Sequence, residues 1–494
     1  MTKASAATVP PQTAREHQGV IIIGAGISGI GQACHLKDKR PGTSFVMLEA
    51  RDQIGGTWDL FRYPGIRSDS DMYTFGYSFR PWTGENDIAS GDAILRYLDS
   101  TVDDYGLRDK IRFGARVTRV NWSPTQARWL IDVTPAQGDP YGMSCDFLVS
   151  CTGYYDYEQG YLPDFEGFKD FNGAIAHPQH WPDDLDYAGK RVLVIGSGAT
   201  AVTLVPAMAK TAGHVTMLQR SPTYIFSRPA RDAKAAWLRR WLPSGLAHRL
   251  ARVRAIFLAT YAYRIARKNP AGMRAFLRKM AIDEAGPDVD VDTHFKPTYA
   301  PWDQRLCLIP DGDFYAALRA GDADVVTDKI ARFTQTGVTL ASGKTLAADV
   351  IVPATGLKLQ FLGGIDMQID GVPVKAADHT IYRGTMLSNV PNFAMIFGYA
   401  NSSWTLKADL SSTFICRVLR HMKTKGAQSV TPRLDPASEG AKPLLSLTSG
   451  YLARAADEMP KQGEDAPWKT EETYISDMLS VRFASVDDGV LAYA

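Results

Sequence analysis

The sequence predicts an α/β chain with two separate parallel sheets and a helical insertion, and three observations carry that prediction. In "GVIIIGAGISGIGQACHL" a β-branched apolar run passes through glycines into a helix-like pattern, and "TSFVMLEA" follows as a second apolar run. The same arrangement recurs near the middle of the chain as "KRVLVIGSGATAVTLVPAMAK" and "HVTMLQRSP". Between Arg228 and Met280, finally, the chain is helix-forming and strongly basic, with Asp232 its only acid. The two βαβ units are Rossmann-like and dinucleotide-binding in layout, and 494 residues leave room for both domains.

Composition narrows the class. A hydrophobic share of 45%, a charged share of 22% and a formal net charge of +2 read as a soluble globular protein, with no nucleic-acid partner suggested. Cys34, Cys145, Cys151, Cys307 and Cys416 are odd in number and widely separated, so neither a disulfide framework nor a metal cluster is expected, and a reducing cytoplasm fits. Residues 1–18 are polar, with prolines, and read as a mobile tail. No apolar run reaches the roughly 18 to 20 residues needed to span a bilayer.

The order of elements suggests how the domains share the chain. "DFLVSCTGYY" (Asp146 to Tyr155) and "ADVIVPATGLKL" (Ala348 to Leu359) are similar apolar strands that bracket the second unit. The chain is therefore expected to leave a first domain near Gly153 and return to it near Gly356. Residues 19–153 and 348–494 make that domain together with the C-terminal region, 154–227 and 301–347 make the second, and 228–300 form the insertion. Two readings of the insertion stand side by side. Its helices lie on a membrane surface or an acidic partner, or their aromatic and leucine face packs on the nucleotide domains while the arginines are solvated; packing is the commoner use of such patterns.

Each glycine turn has its own chemistry. Gly24, Gly26 and Gly29 sit after a strand and at the start of a helix, where they permit a tight turn, close approach to a pyrophosphate and close helix packing. Glu49 ends the next strand, where a carboxylate can accept from a ribose 2′-OH, so an unphosphorylated ribose is implied, as in FAD or NAD. The second turn reads Gly196, Gly198 and Ala201, and its following strand ends in Arg220 and Ser221. A guanidinium and a hydroxyl suit a 2′-phosphate, which a carboxylate would repel, and the matching cofactor is NADPH.

"GGTWDLFRYPGIRSD" (Gly55 to Asp69) and "FNGAIAHPQHWP" (Phe171 to Pro182) resemble the two signature segments of type I Baeyer–Villiger monooxygenases, flavoproteins that use FAD, NADPH and dioxygen. Phe171, Gly173, His177 and Trp181 fill the second pattern, and Trp181 followed by Pro182 favours this branch over relatives that oxidise amines and sulfides. "PWDQRLCLIPDGDF" and "GYANSSWTLKADL" resemble the thioamide-prodrug-activating monooxygenases of mycobacteria.

The resemblance implies conversion of a ketone to an ester or lactone through a flavin peroxide, with sulfoxidation as a side activity. It places the catalytic arginine on Arg305, positioned by Asp69. It also assigns Ser28, Gly56, Thr57, Trp58, Asp59, Leu60 and Val117 to the FAD site beside the glycines and Glu49, with Asp69 near the flavin. Arg67, Ser68 and Asp69 fall where nicotinamide and flavin meet. Gly196, Ser197, Gly198, Ala199, Thr200, Ala201 and Val202, with Arg220 and Ser221, form the NADP site. His177 is implied to couple NADP binding to domain rotation, the alternative being a histidine satisfied at a hinge. Trp404 is a pocket wall or a plain core tryptophan. One departure concerns Gln304, where many relatives carry a lysine that helps recognise the 2′-phosphate, so NADPH preference is expected to be less strict. Oxygenation mainly at sulfur or nitrogen, or a non-catalytic dinucleotide sensor, are the rival functions.

Overall fold

A computed structural model describes residues 15–304, 306–399, 401–435, 442–444, 450–470 and 473–494. The chain runs through β1 (Glu16–Ile23), α1 (Ile27–Lys39), β2 (Phe45–Leu48), α2 (Thr57–Leu60), α3 (Met72–Phe75) and α4 (Gly91–Asp104). It continues through β3 (Ile111–Arg112), β4 (Ala115–Ser123), β5 (Arg128–Pro135) and β6 (Tyr141–Ser150). Val20, Ile21 and Ile22 of β1 are wholly buried on both faces, which suits a central strand with layers on either side. β1 pairs in parallel with β2 and with β6, while β4, β5 and β6 form an antiparallel meander. The α4 helix forms because Ser90 caps it by accepting from the Ala93 N–H, and Ile94, Leu98, Thr101 and Val102 recur on its buried face.

The second sheet gathers β7 (Ala174–Ile175), β8 (Arg191–Ile195) and, after α5 (Ala199–Met208), β9 (His214–Gln219). β10 (Ile225–Arg228) leads into the insertion helices α6 (Ala233–Trp241), α7 (Ser244–Lys268), α8 (Pro270–Ala285) and α9 (Val291–His294). β11 (Cys307–Pro310) pairs with β10, and α10 (Asp313–Ala320), β12 (Ala323–Thr327) and a three-stranded meander over 330–347 lead to a strand we number β13 (Val350–Pro353). The sheet order is β12, β9, β8, β13, β7, with every pair parallel.

This placement of β13 corrects the expected boundary at 348. Val350 pairs with Val192 and Pro353 with Ile195, so the strand belongs to the second sheet, and the return follows it. The reason is physical. All four residues are buried, and a continuous apolar run fits the middle of either parallel sheet, so its periodicity cannot choose between them. The likeness of "SCTG" to "PATG" reflects equivalent places in two sheets. Cys151 after β6 sets its carbonyl against Gly24, and Ala354 after β13 sets its carbonyl against Gly196.

After Pro353 the returning chain runs alongside the outgoing one. The Asp156 N–H donates to Lys358 O at 2.8 Å and the Gln360 N–H donates to Tyr154 O at 3.0 Å. Asp366–Ile369 then adds to β4 and Phe393–Met395 to β6, and α11 (Trp404–Lys425) packs along α1.

The insertion is helical, but α7 presents the opposite face from the packing reading. Ala247, His248, Ala251 and Arg252 are buried, while Leu250, Phe257 and Tyr261 are exposed. Small alanines allow α7 close to α3, and Arg252 spends its donors on buried acceptors. Its Nη1 reaches Tyr73 O at 2.7 Å and Gly76 O at 2.8 Å, and its Nη2 reaches Asp409 at 3.3 Å. Among the described residues no helix is long and apolar enough to cross a membrane.

Candidate functional site

At the first turn the backbone is drawn tightly together. Gly24 has φ +102°, and a Cβ there would lie 2.6 Å from Cys151 O. A Cβ on Gly29 would lie 1.9 Å from Gly24 O, so α1 can start this close to its strand only with glycine. Glu49 is buried at the end of β2 with both oxygens held: Oε2 accepts from the Ala25 N–H at 2.7 Å and Oε1 from the Arg51 N–H at 2.9 Å. Burial pushes its carboxyl above the ordinary carboxylate range, and the two N–H donors oppose that shift. A bare turn at a helix start and a fixed carboxylate fit the pyrophosphate and ribose of a dinucleotide.

The first signature segment starts at this turn and, at Tyr63 and Gly65, passes along α5 of the other. Gly26 forms a bridge with Gly55, and Gly56 lies directly over Gly26. Thr57 opens α2 and bonds Tyr157, whose phenol is pushed up to about 12 by burial. Asp59 is buried between two guanidiniums, accepting from Arg51 Nε at 2.8 Å and Arg62 Nη2 at 2.7 Å. Trp58 meets Phe75 edge to face, whereas Leu60 joins the core of the second sheet with Val202 and Leu204. Tyr63 hydrogen-bonds Thr200 in α5, and burial pushes its phenol up to about 12. Gly65, with φ +78°, rests on α5, where a Cβ would lie 2.6 Å from Ala207 Cβ. Arg67 pairs with Asp313 at the start of α10, and the Ser68 N–H donates to Ala89 O at 2.9 Å. Arg67 also lines a cavity of about 810 Å³ with Trp82, Tyr97 and, from the start of α7, Ser244. Asp69 is exposed at the end of the segment, with Ser70 Oγ at 3.5 Å.

The second turn is more open. Gly196 has φ +138° and lies against Ala354 O, but a Cβ on Gly198 would meet nothing within 4 Å. Ala201 and Val202 are buried beneath it, while Ala199 and Thr200 lie at the start of α5. Ser197 Oγ donates to Ser221 O at 3.1 Å, and Arg220 and Ser221 are exposed beyond β9. An exposed guanidinium and hydroxyl beside a helix start fit a phosphorylated ribose.

Other predicted residues fall around these turns. Val117 is buried in β4 at an irregularity in its pairing with β5, two residues after Ala115 donates to Glu49 O at 2.8 Å. Trp404 Nε1 donates to Ser28 Oγ at 2.8 Å, and its ring stacks on Tyr154 with centroids 5.3 Å apart. In the second signature segment, Phe171 joins the core beneath Leu193 and Ile195, and a Cβ on Gly173 would lie 2.5 Å from Asp349 O. His177 Nδ1 accepts from the Gln179 N–H at 3.2 Å, its Nε2 is buried, and desolvation lowers its pKa. Trp181 packs at the edge of the second core. Arg305 lies outside the described residues. The residues just before it rest on α7, with Trp302 edge-on to Tyr263 and Asp303 accepting from Arg267 at 2.7 Å.

The partners that sequence reasoning missed are Arg51, Arg62, Tyr63, Tyr157 and Asp313. Only Arg62 had a local signal, standing three residues after Asp59, just past the end of α2.

Residues 17–237 match the family model described as flavin-binding monooxygenase-like. The chain is 50% identical over 480 residues to the probable FAD-binding monooxygenase AlmA of Acinetobacter baylyi, covering 97% of this chain and 96% of that protein. It is also 50% identical over 479 residues to the FAD-containing monooxygenase EthA of Mycolicibacterium smegmatis, covering 97% of each. Among solved structures, an oxidized steroid monooxygenase bound to NADP aligns with a TM-score of 0.76 at 22% identity, over 97% of this chain and 99% of that one. The open crystal structure of cyclohexanone monooxygenase aligns with a TM-score of 0.70 at 23% identity, over 85% and 90%. At those identities the two structures speak for the fold.

Proposed function

The chain belongs to the family of flavin-binding, FAD-containing monooxygenases, and from that premise we propose that it is an NADPH-dependent Baeyer–Villiger monooxygenase acting on ketones. One observation carries the reading. The segment from Gly55 to Asp69 touches the first glycine turn through Gly55 and Gly56 and α5 of the second through Tyr63 and Gly65, an arrangement that supports one stretch of chain setting two bound nucleotides in register.

FAD bound at the first turn supplies the redox chemistry that passes two electrons from NADPH to dioxygen. One oxygen atom would enter beside the ketone carbonyl to give an ester or lactone, and the other would leave as water with the hydride of NADPH and one proton from solvent, releasing NADP⁺. The chain holds the parts in place. Glu49, held by the Ala25 N–H, would accept from the ribose hydroxyls, and the start of α1 would face the pyrophosphate. Arg220 and Ser221 would take the 2′-phosphate. Arg305 is assigned the catalytic role because a guanidinium stays charged at any working pH and presents several donors to an oxygen anion. Asp69 is assigned to orient it.

The test is a panel of linear, cyclic and aryl ketones and of sulfides, assayed for NADPH consumption and product by gas chromatography. Ketone-dependent ester formation is expected, with sulfoxide as a minor product. Sulfoxide alone would move the assignment to heteroatom oxygenation, and a yellow protein with no turnover would make it a sensor. Arg305→Ala is expected to abolish ester formation and leave flavin content unchanged. An alanine variant that makes ester at the wild-type rate would remove Arg305 from the mechanism.

A further inference from the structure

We propose that the outer face of α6 and α7 docks the protein on an anionic lipid surface. Along α7, Leu246, Leu250, Val253, Phe257, Tyr261 and Ile265 recur every three or four residues, and all six are exposed. Val253 is 65% exposed and Phe257 60%, while Trp237 and Trp241 on α6 are 62% and 65% exposed. Scattered exposed apolar side chains need no explanation, but an aligned stripe of this length marks an interaction surface.

Charge decides the occupant. Between Ala233 and Ile282 there are twelve lysines and arginines and no acid. Several have internal tasks: Arg252 is buried against Asp409, Arg254 pairs with Asp232, and Arg267 with Asp303. Lys234, Arg240, Arg249, Arg264 and Lys268 are exposed. Arg240 lies over the Trp241 ring at 5.7 Å, and Phe257 stacks on Tyr261 at 6.1 Å. Aromatic rings with a polar tip and long cationic side chains are the groups that settle at a headgroup boundary, with the apolar parts inward and the charges at the phosphates. A two-fold dimer through the same face would set one cationic patch against its copy. The opposite face of α7 is fixed to the body by Ala247, Ala251 and Arg252, so the exposed stripe is presented by an already anchored helix.

Flotation of the full-length, flavin-loaded protein with phosphatidylcholine vesicles containing about one third phosphatidylglycerol tests this, with pure phosphatidylcholine as the comparison. The anionic vesicles are expected to bind at least tenfold more tightly, on the basis of roughly fivefold per cation near the surface, and to lose the protein as salt rises. Arg249→Glu with Arg264→Glu, and separately Val253→Ser with Phe257→Ser, are each expected to weaken binding about tenfold while flavin content and unfolding temperature stay unchanged. Absence of binding, equal binding to neutral vesicles, or variants that bind like the wild type would overturn the proposal. So would sedimentation velocity showing that the same substitutions split a lipid-free dimer, since the face would then belong to a second copy.

Discussion

At the middle glycine of the first turn a Cβ on Gly26 would lie 3.5 Å from Gly56 Cα, whereas at the middle glycine of the second a Cβ on Gly198 would meet nothing within 4 Å. Both turns begin alike, with a left-handed glycine set against a carbonyl from a later parallel strand. They part at the third position, where the first has Gly29 and the second a buried Ala201, and at the end of the following strand, where a buried Glu49 answers an exposed Arg220. A closed turn with a fixed, buried carboxylate suits a group that stays. An open turn ending in exposed charge suits one that comes and goes.

The sharpest way to break that contrast is to add one methyl group to each turn. Gly29→Ala must displace the Gly24 carbonyl or the start of α1, and overpacking of this kind costs about 1 to 3 kcal/mol. The purified variant is expected to be colourless, with a lowered unfolding temperature. Gly198→Ala is expected to keep its flavin and its stability, and equal flavin loss in both variants would erase the distinction.

Next in size is Arg220→Ala. Loss of a charge-assisted pair with a phosphate is worth about 1.5 to 3 kcal/mol, so kcat/KM for NADPH is expected to fall between tenfold and about a hundredfold. Flavin content and kcat/KM for NADH should hold. Equal efficiency with both coenzymes in the wild type would remove the 2′-phosphate from the second site.

Glu49→Gln gives a smaller effect with a pH signature. Because burial raises the folded-state pKa of Glu49, its contribution to stability is full below the ordinary value near 4.3 and is lost as pH rises through the raised one. Unfolding of flavin-free protein across the acid range is therefore expected to show an extra loss of stability with rising pH in the wild type that the variant lacks. Parallel profiles would show that Glu49 titrates as it does when unfolded. The smallest effect is expected from Tyr63→Phe, where losing the bond to Thr200 costs about 1 kcal/mol and is read as a raised KM for NADPH with flavin retained.

The geometry of both turns was legible in the sequence because it is local: strand, glycines, helix and next strand all fall within about thirty positions. Distance in the chain hid the rest. Arg67 meets Asp313 across 246 positions, and nothing near either residue announces the pair. The strand Val350–Pro353 was legible as a strand, but not its sheet, since a run buried on both faces carries no periodicity that names its neighbours. On α7 the apolar stripe was visible and its direction was not. Burial there is settled by which side can come closest, and two alanines beside an arginine with carbonyl acceptors fit against α3 better than leucines and phenylalanines do.

The ring of Tyr263 against Trp302 and the pairing of Arg267 with Asp303 tie the last turns of α7 to the strip of chain that ends at Gln304. The basic insertion is therefore stitched, by one ring contact and one ion pair, to the stretch of chain that re-enters the second sheet's domain.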